Sequence, residues 1–126
     1  MYLVDTNILI WALRDKPLYI HLIDSLRRET SVSISVITIG EIYQNILGEE
    51  LGRTEELLSQ FYHWNVTEDI AKQAGWYWQR FRKQRDALSL LDCMIAATCR
   101  EHDLTLVTLN KKHFPMNDVR MYEKSE

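Results

Sequence analysis

The amino-acid sequence predicts a three-layer α/β fold, with a mostly parallel sheet held between two layers of helices. Three observations predict it. Short apolar or β-branched runs alternate with segments of helical periodicity, as strands joined by crossover helices do. No internal repeat, low-complexity tract or linker interrupts the alternation. The 126 residues, 46% hydrophobic and 26% charged, suit a single domain over residues 1–126 with a core of useful size.

The elements follow in order. "YLV" at 2–4 is an apolar run ending at Asp5 and reads as a buried strand. Helical spacing begins at Ile8, Trp11 and Ala12 and stops before Pro17, after which Leu18, Leu22 and Leu26 mark a second helix. "SVSISVIT" at 31–38 alternates and is rich in β-branched residues, so a strand is expected over the whole run. Ile39, Ile42, Tyr43, Ile46 and Leu47 form a helical stripe that Gly48 closes. Leu57, Leu58, Phe61 and Tyr62 suggest another helix. Thr67 opens a long one with Ile70, Ala74, Tyr77, Trp78 and Phe81 on one face. Ser89 opens the helix that carries Asp92. "LTLVT" at 104–108 and "VRMY" at 119–122 read as the last strands.

The totals exclude several classes. A formal charge of −3 gives no general attraction for nucleic acid, so a polyanion needs a local basic patch or a metal. No run approaches the roughly 18 apolar residues of a membrane span, and no basic leader precedes the first strand. Cys93 and Cys99 lie about 240° apart on a helix and cannot pair with each other. They read as buried thiols in a reducing cytoplasm. The four histidines show no zinc spacing, and neither GxGxxG, a P-loop nor GxSxG is present. His113, in "NKKHF", lies near the end of the strand at 104–108, where it could touch substrate, and is assigned a structural or solvent role before that one. The cationic groups are Arg27/Arg28, "RFRKQR" at 80–85 and Lys111/Lys112, runs of the kind that solvated helix faces carry; Trp76 falls off its helix's main stripe, and such a surplus aromatic belongs either to the core or to a dimer or partner surface.

Ligands of such folds gather beyond the carboxyl ends of the strands, which directs attention to the residues that follow them. Asp5 follows the first strand and Glu41 the second, Asp92 lies in a first helical turn, and Asn110 follows "LTLVT". Capping accounts for acids at helix starts, and Thr38-x-x-Glu41 matches a capping box. It leaves unexplained why "LSLLDCMIAATC", 88–99, holds its one charge at Asp92 among apolar neighbours. Three carboxylates on one rim repel, at about 3 kcal/mol per pair for a separation of about 5 Å and an effective dielectric near 20. Hard divalent cations, Mg²⁺ or Mn²⁺, relieve that repulsion, and such a site suits phosphodiester hydrolysis.

"LVDTNILIWAL", "ISVITIGEIY", "LSLLDCMIAATC" and "LVTLNKKHF" together resemble the successive motifs of the PIN-domain ribonucleases, with the spacing of VapC-type toxins. The resemblance implies a cytoplasmic metal-dependent endoribonuclease with catalytic and metal-binding acids at Asp5, Glu41 and Asp92. Asn110 stands where the family often has a fourth acid, as a neutral metal-shell position that bears on whether a second ion binds. Thr6 and Thr108, as nearby hydroxyls, and Lys111 and Lys112 are the substrate-side candidates. A homodimer and a cognate VapB-type antitoxin are implied as well. Two other classes compete. A phospho-acceptor receiver domain needs adjacent acids after its first strand, where this chain has Thr6 and Asn7. A catalytically weak PIN fold that binds RNA or a partner is favoured by Asn110 and opposed by the three acids.

Overall fold

Leu3 and Leu106 face one side of the central strands and Val4 and Val107 the other, so each strand feeds two separate cores. The computed structural model describes residues 1–84 and 88–123. The strands are β1 (Tyr2–Val4), β2 (Val32–Ser35), β3 (Tyr62–Trp64), β4 (Thr105–Val107) and β5 (Arg120–Met121). The helices are α1 (Thr6–Leu13), α2 (Pro17–Glu29), α3 (Val36–Tyr43), α4 (Leu51–Leu58), α5 (Glu68–Phe81) and α6 (Leu90–His102). All five strands pair in parallel in the order β3-β2-β1-β4-β5. One face packs Ile70, Ala74, Tyr77 and Phe81 of α5 with Cys93, Ile95 and Ala96 of α6. Helices α1 to α4 cover the other, with Ile8, Leu9, Ile23, Leu26 and Ile42. This is the three-layer arrangement expected, with the sheet wholly parallel.

Three expectations change. β2 ends at Ser35, whose hydroxyl accepts from the Ile37 backbone N–H and starts α3 inside the β-branched run. An N-cap thus overrides the strand propensity of Val36, Ile37 and Thr38, and puts Thr38 within the helix, not at its cap. α3 stops at Tyr43, so Ile46 and Leu47 lie beyond it and Gly48 opens a 3₁₀ turn (Gly48–Glu50). Tyr62 belongs to β3, not to a helix. β3 is held by pairing to Ser33, Ile34 and Ser35, a partner that local periodicity does not reveal. Elsewhere the expected stripe of α5 is buried except Trp78, and both cysteines are free and buried. Burial raises the thiol pKa to about 11 for Cys93 and about 12 for Cys99.

Candidate active site

The chain runs outward from β1 through β2 to β3, then returns to place β4 on the other side of β1. Such a reversal opens a crevice at the carboxyl ends of the two central strands. Asp5 follows β1 at this point, and Thr108 and Asn110 follow β4. Glu41 reaches it from α3 and Asp92 from the first turn of α6. The result is an open cleft of about 370 Å³ lined by Asp5, Thr6, Glu41, Asp92, Asn110 and His113, among others.

Asp5 is 6% exposed and has a donor on each oxygen. Its Oδ1 accepts from the Thr6 backbone N–H at 2.8 Å, and its Oδ2 accepts from the Thr108 hydroxyl at 2.8 Å. Thr108 Oγ1 also accepts from the Asn110 backbone N–H at 3.0 Å. Thr6 donates its hydroxyl hydrogen to Glu41 Oε1 at 2.7 Å. Thr38 Oγ1 lies 3.0 Å from the Thr6 oxygen, which has no second hydrogen to give and so accepts from Thr38. Two buried threonines therefore set the direction of two carboxylates.

Asp92 is held differently. Ser89 caps α6, its Oγ accepting from the Asp92 backbone N–H at 3.0 Å, which fixes the turn. The Asp92 carboxylate lies 3.6 Å from His113 Nδ1. Burial is the largest influence on it and raises its pKa. The Ser89 hydroxyl pulls the other way, the Asp5 charge raises it further, His113 opposes, and Glu41 adds to the rise. Leu90 and Leu91, apolar neighbours of Asp92 in the sequence, are exposed, while Leu88 and Cys93 are buried.

The matching family model is the PIN domain, over residues 2–118. The chain is 36% identical to Ribonuclease VapC10 of Mycobacterium tuberculosis over 116 residues, covering 92% of this chain and 87% of that protein. This chain is a VapC-type PIN domain. A toxin–antitoxin complex from Klebsiella pneumoniae superposes with a TM-score of 0.76 at 30% identity, covering 98% of this chain and 100% of that one. VapBC2 of Rickettsia felis, bound to a DNA fragment from its promoter, superposes at 0.82 over 98% of both chains; at 19% identity that likeness is one of fold.

In this VapC-type domain the sequence-predicted residues divide into three sets. Asp5, Glu41, Asp92, Asn110 and Thr6 meet in the cleft. Thr108 stands behind Asp5, its hydroxyl already committed. Lys111 and Lys112 are not part of the lining, and Lys111 Nζ pairs with Glu123 at 2.9 Å. Asn7, Gln44 and Asn45 line the cleft although the sequence did not mark them, and His113, placed near the rim by the sequence, lines it too. Gln44 and Asn45 were findable, since they follow Glu41 by three and four residues and so share its helical side. The approach of His113 to Asp92 was not, because it depends on where the loop after β4 folds back.

The cleft offers carboxylate and amide oxygens, and no Lys or Arg lines it among the described residues. That donor set fits a hard divalent cation. Among the described residues no three His, Cys, Asp or Glu side chains are drawn together tightly enough to hold an ion as they stand. No helix there is long and apolar enough to cross a membrane.

Proposed function

We propose that this VapC-type domain is an endoribonuclease dependent on Mg²⁺ or Mn²⁺ and the toxin partner of a VapB-type antitoxin. Asp92 carries the reading. Its carboxylate sits in a cleft with Asp5 and Glu41, is destabilised as an anion by burial and by both of those charges, and has no Lys or Arg beside it among the described residues. A site that stores like charge in this way is completed by a cation.

Asp5, Glu41 and Asp92 would hold the ion, with Asn110 as a neutral oxygen donor. Bound there, the ion supplies Lewis-acid polarisation of a phosphodiester and a nucleophilic water at neutral pH. The protein's part is orientation. Thr108 and the Thr6 backbone fix Asp5, the Thr6 hydroxyl aims Glu41, and Ser89 fixes the turn bearing Asp92. Thr6 and Thr108 thereby act as positioning residues and not as substrate contacts. His113 meets Asp92 on the rim, within reach of a phosphate, while Asn7, Gln44 and Asn45 offer hydrogen bonds to an RNA strand.

The exposed leucines beside Asp92, Leu90 at 46% and Leu91 at 42%, favour a homodimer that covers this rim. The toxin–antitoxin complex from Klebsiella pneumoniae, 30% identical over 98% of this chain, supports the antitoxin assignment. Buried reduced thiols suit a cytoplasmic protein. The test is cleavage of a generic single-stranded RNA with Mn²⁺, with Mg²⁺ and with EDTA. Cleavage that persists in EDTA, or in Asp92→Asn with metal, overturns the proposal. Asn110 favours a second reading, a catalytically weak domain that only binds RNA or a partner; metal-replete protein that binds RNA without cutting it would select that reading.

A further inference from the structure

Trp76, Arg80 and Lys83 recur along α5 and its C-terminal turn at the i, i+4, i+7 spacing of one helical side. All three are exposed, Trp76 to 66%. The helix dipole accounts for cations at this end, with Glu68 and Asp69 at the other. It does not account for an indole two-thirds in water. Trp76 and Arg80 also border a cavity of about 350 Å³ shared with Gln73, Arg100, Asn117 and Asp118. Inside it the charges that could cancel are already cancelled: Arg100 Nε donates to Asp118 Oδ2 at 2.9 Å, and the Tyr77 hydroxyl donates to Asp118 Oδ1 at 2.8 Å. Neither Arg80 nor Lys83 has an acidic partner among the described residues; Arg85 of the same basic run lies outside them.

We infer that this side of α5 is a docking surface for single-stranded RNA, Trp76 stacking on a base while Arg80 and Lys83 hold flanking phosphates. The inference rests on the ribonuclease reading and deepens it. The cleft holds three acids and, among the described residues, no Lys or Arg, and the chain carries a net −3, so before metal binds the cleft offers a polyanion hydrogen bonds but no Lys or Arg charge. Lys111, the cation expected near the rim, is tied to Glu123. An exposed indole with cations at helical spacing supplies what is missing, a sequence-tolerant π-face and positive charge for the phosphates.

The test uses the full chain in EDTA, with fluorescence anisotropy on a labelled single strand of about 20 nucleotides and on one of about 4. Trp76→Ala should weaken binding of the long strand about ten-fold, and Trp76→Phe, which keeps a stacking face, should restore much of it. Arg80→Gln with Lys83→Gln should reduce the slope of log affinity against log salt by roughly one. In cleavage with Mn²⁺, both changes should erase the advantage of the long strand over the short one. A parent that binds and cuts RNA, beside variants with the same affinity, slope and length preference, overturns the docking surface and leaves the ribonuclease reading intact. A parent that neither binds nor cuts RNA overturns both. Variants that change the mass in solution but not RNA affinity assign the face to protein contact and overturn the inference.

Discussion

Thr108 donates its hydroxyl hydrogen to Asp5 Oδ2 at 2.8 Å, across a sequence separation of 103 residues. That bond joins the ends of the two strands between which the cleft opens, and it gives Asp5 a different physical status from Asp92. Asp5 has a donor on each oxygen; Asp92 has burial, two like charges and a histidine. Both acids were expected on one rim. That one is satisfied and the other destabilised has direct consequences.

Asp92→Asn should stabilise the metal-free protein at neutral pH. A carboxyl whose folded pKa lies above its unfolded value contributes stability below the unfolded pKa, and that contribution is lost as pH rises through the folded one. At pH 7 the parent therefore carries the penalty of an ionised Asp92, which the amide removes. Urea unfolding in EDTA at pH 7 and near pH 4 checks this. The variant's advantage should shrink at the acid end, and a variant no more stable than the parent at pH 7 would contradict the charge argument.

Asp5→Asn should behave in the opposite way. An amide cannot accept from both the Thr6 N–H and the Thr108 hydroxyl, so a buried bond is lost, at about 1 kcal/mol. Thr108→Val removes the same bond from the other side at a similar cost. Because both changes break one interaction, the double variant should cost less than the sum of the singles. Denaturant midpoints of the four proteins give the coupling, and strict additivity would place the two side chains out of contact.

Divalent metal should raise the melting temperature of the parent, since binding to the native state alone contributes about 1.4 kcal/mol at ten times Kd. The Asp5/Glu41/Asp92→Ala protein should show no such shift; an equal shift in both would put the ion elsewhere. Asn110→Asp should tighten Mn²⁺ binding by calorimetry, because it adds a charged oxygen to the set. A weaker affinity would remove Asn110 from the shell.

Ser89→Ala should cost about 1 kcal/mol through loss of the α6 cap. It should also raise the Asp92 pKa further, since the Ser89 hydroxyl opposes the effect of burial. The acid limb of the cleavage–pH profile should then move to higher pH. A stability loss with no movement of that limb would confine Ser89 to capping.

The sequence by itself determined the alternation of strands and helices and the acids that follow them. Hydrophobic period is a local property, and in short crossover units an acid after a strand must emerge at the rim. The buried stripe of α5, the caps at Thr67 and Ser89 and the position of Asp5 after β1 were legible for that reason. Tertiary structure decided what depends on partners far along the chain. β3 is a strand because β2 lies beside it, and β2 stops at Ser35 because that hydroxyl caps α3. Thr108 supports Asp5, His113 approaches Asp92, and Lys111 turns to Glu123. A hydroxyl, an imidazole or an ammonium can serve several partners, and local chemistry does not choose among them. The choice falls to whichever group the folded backbone brings within hydrogen-bonding or ion-pairing reach, and that is fixed only when β4 docks against β1.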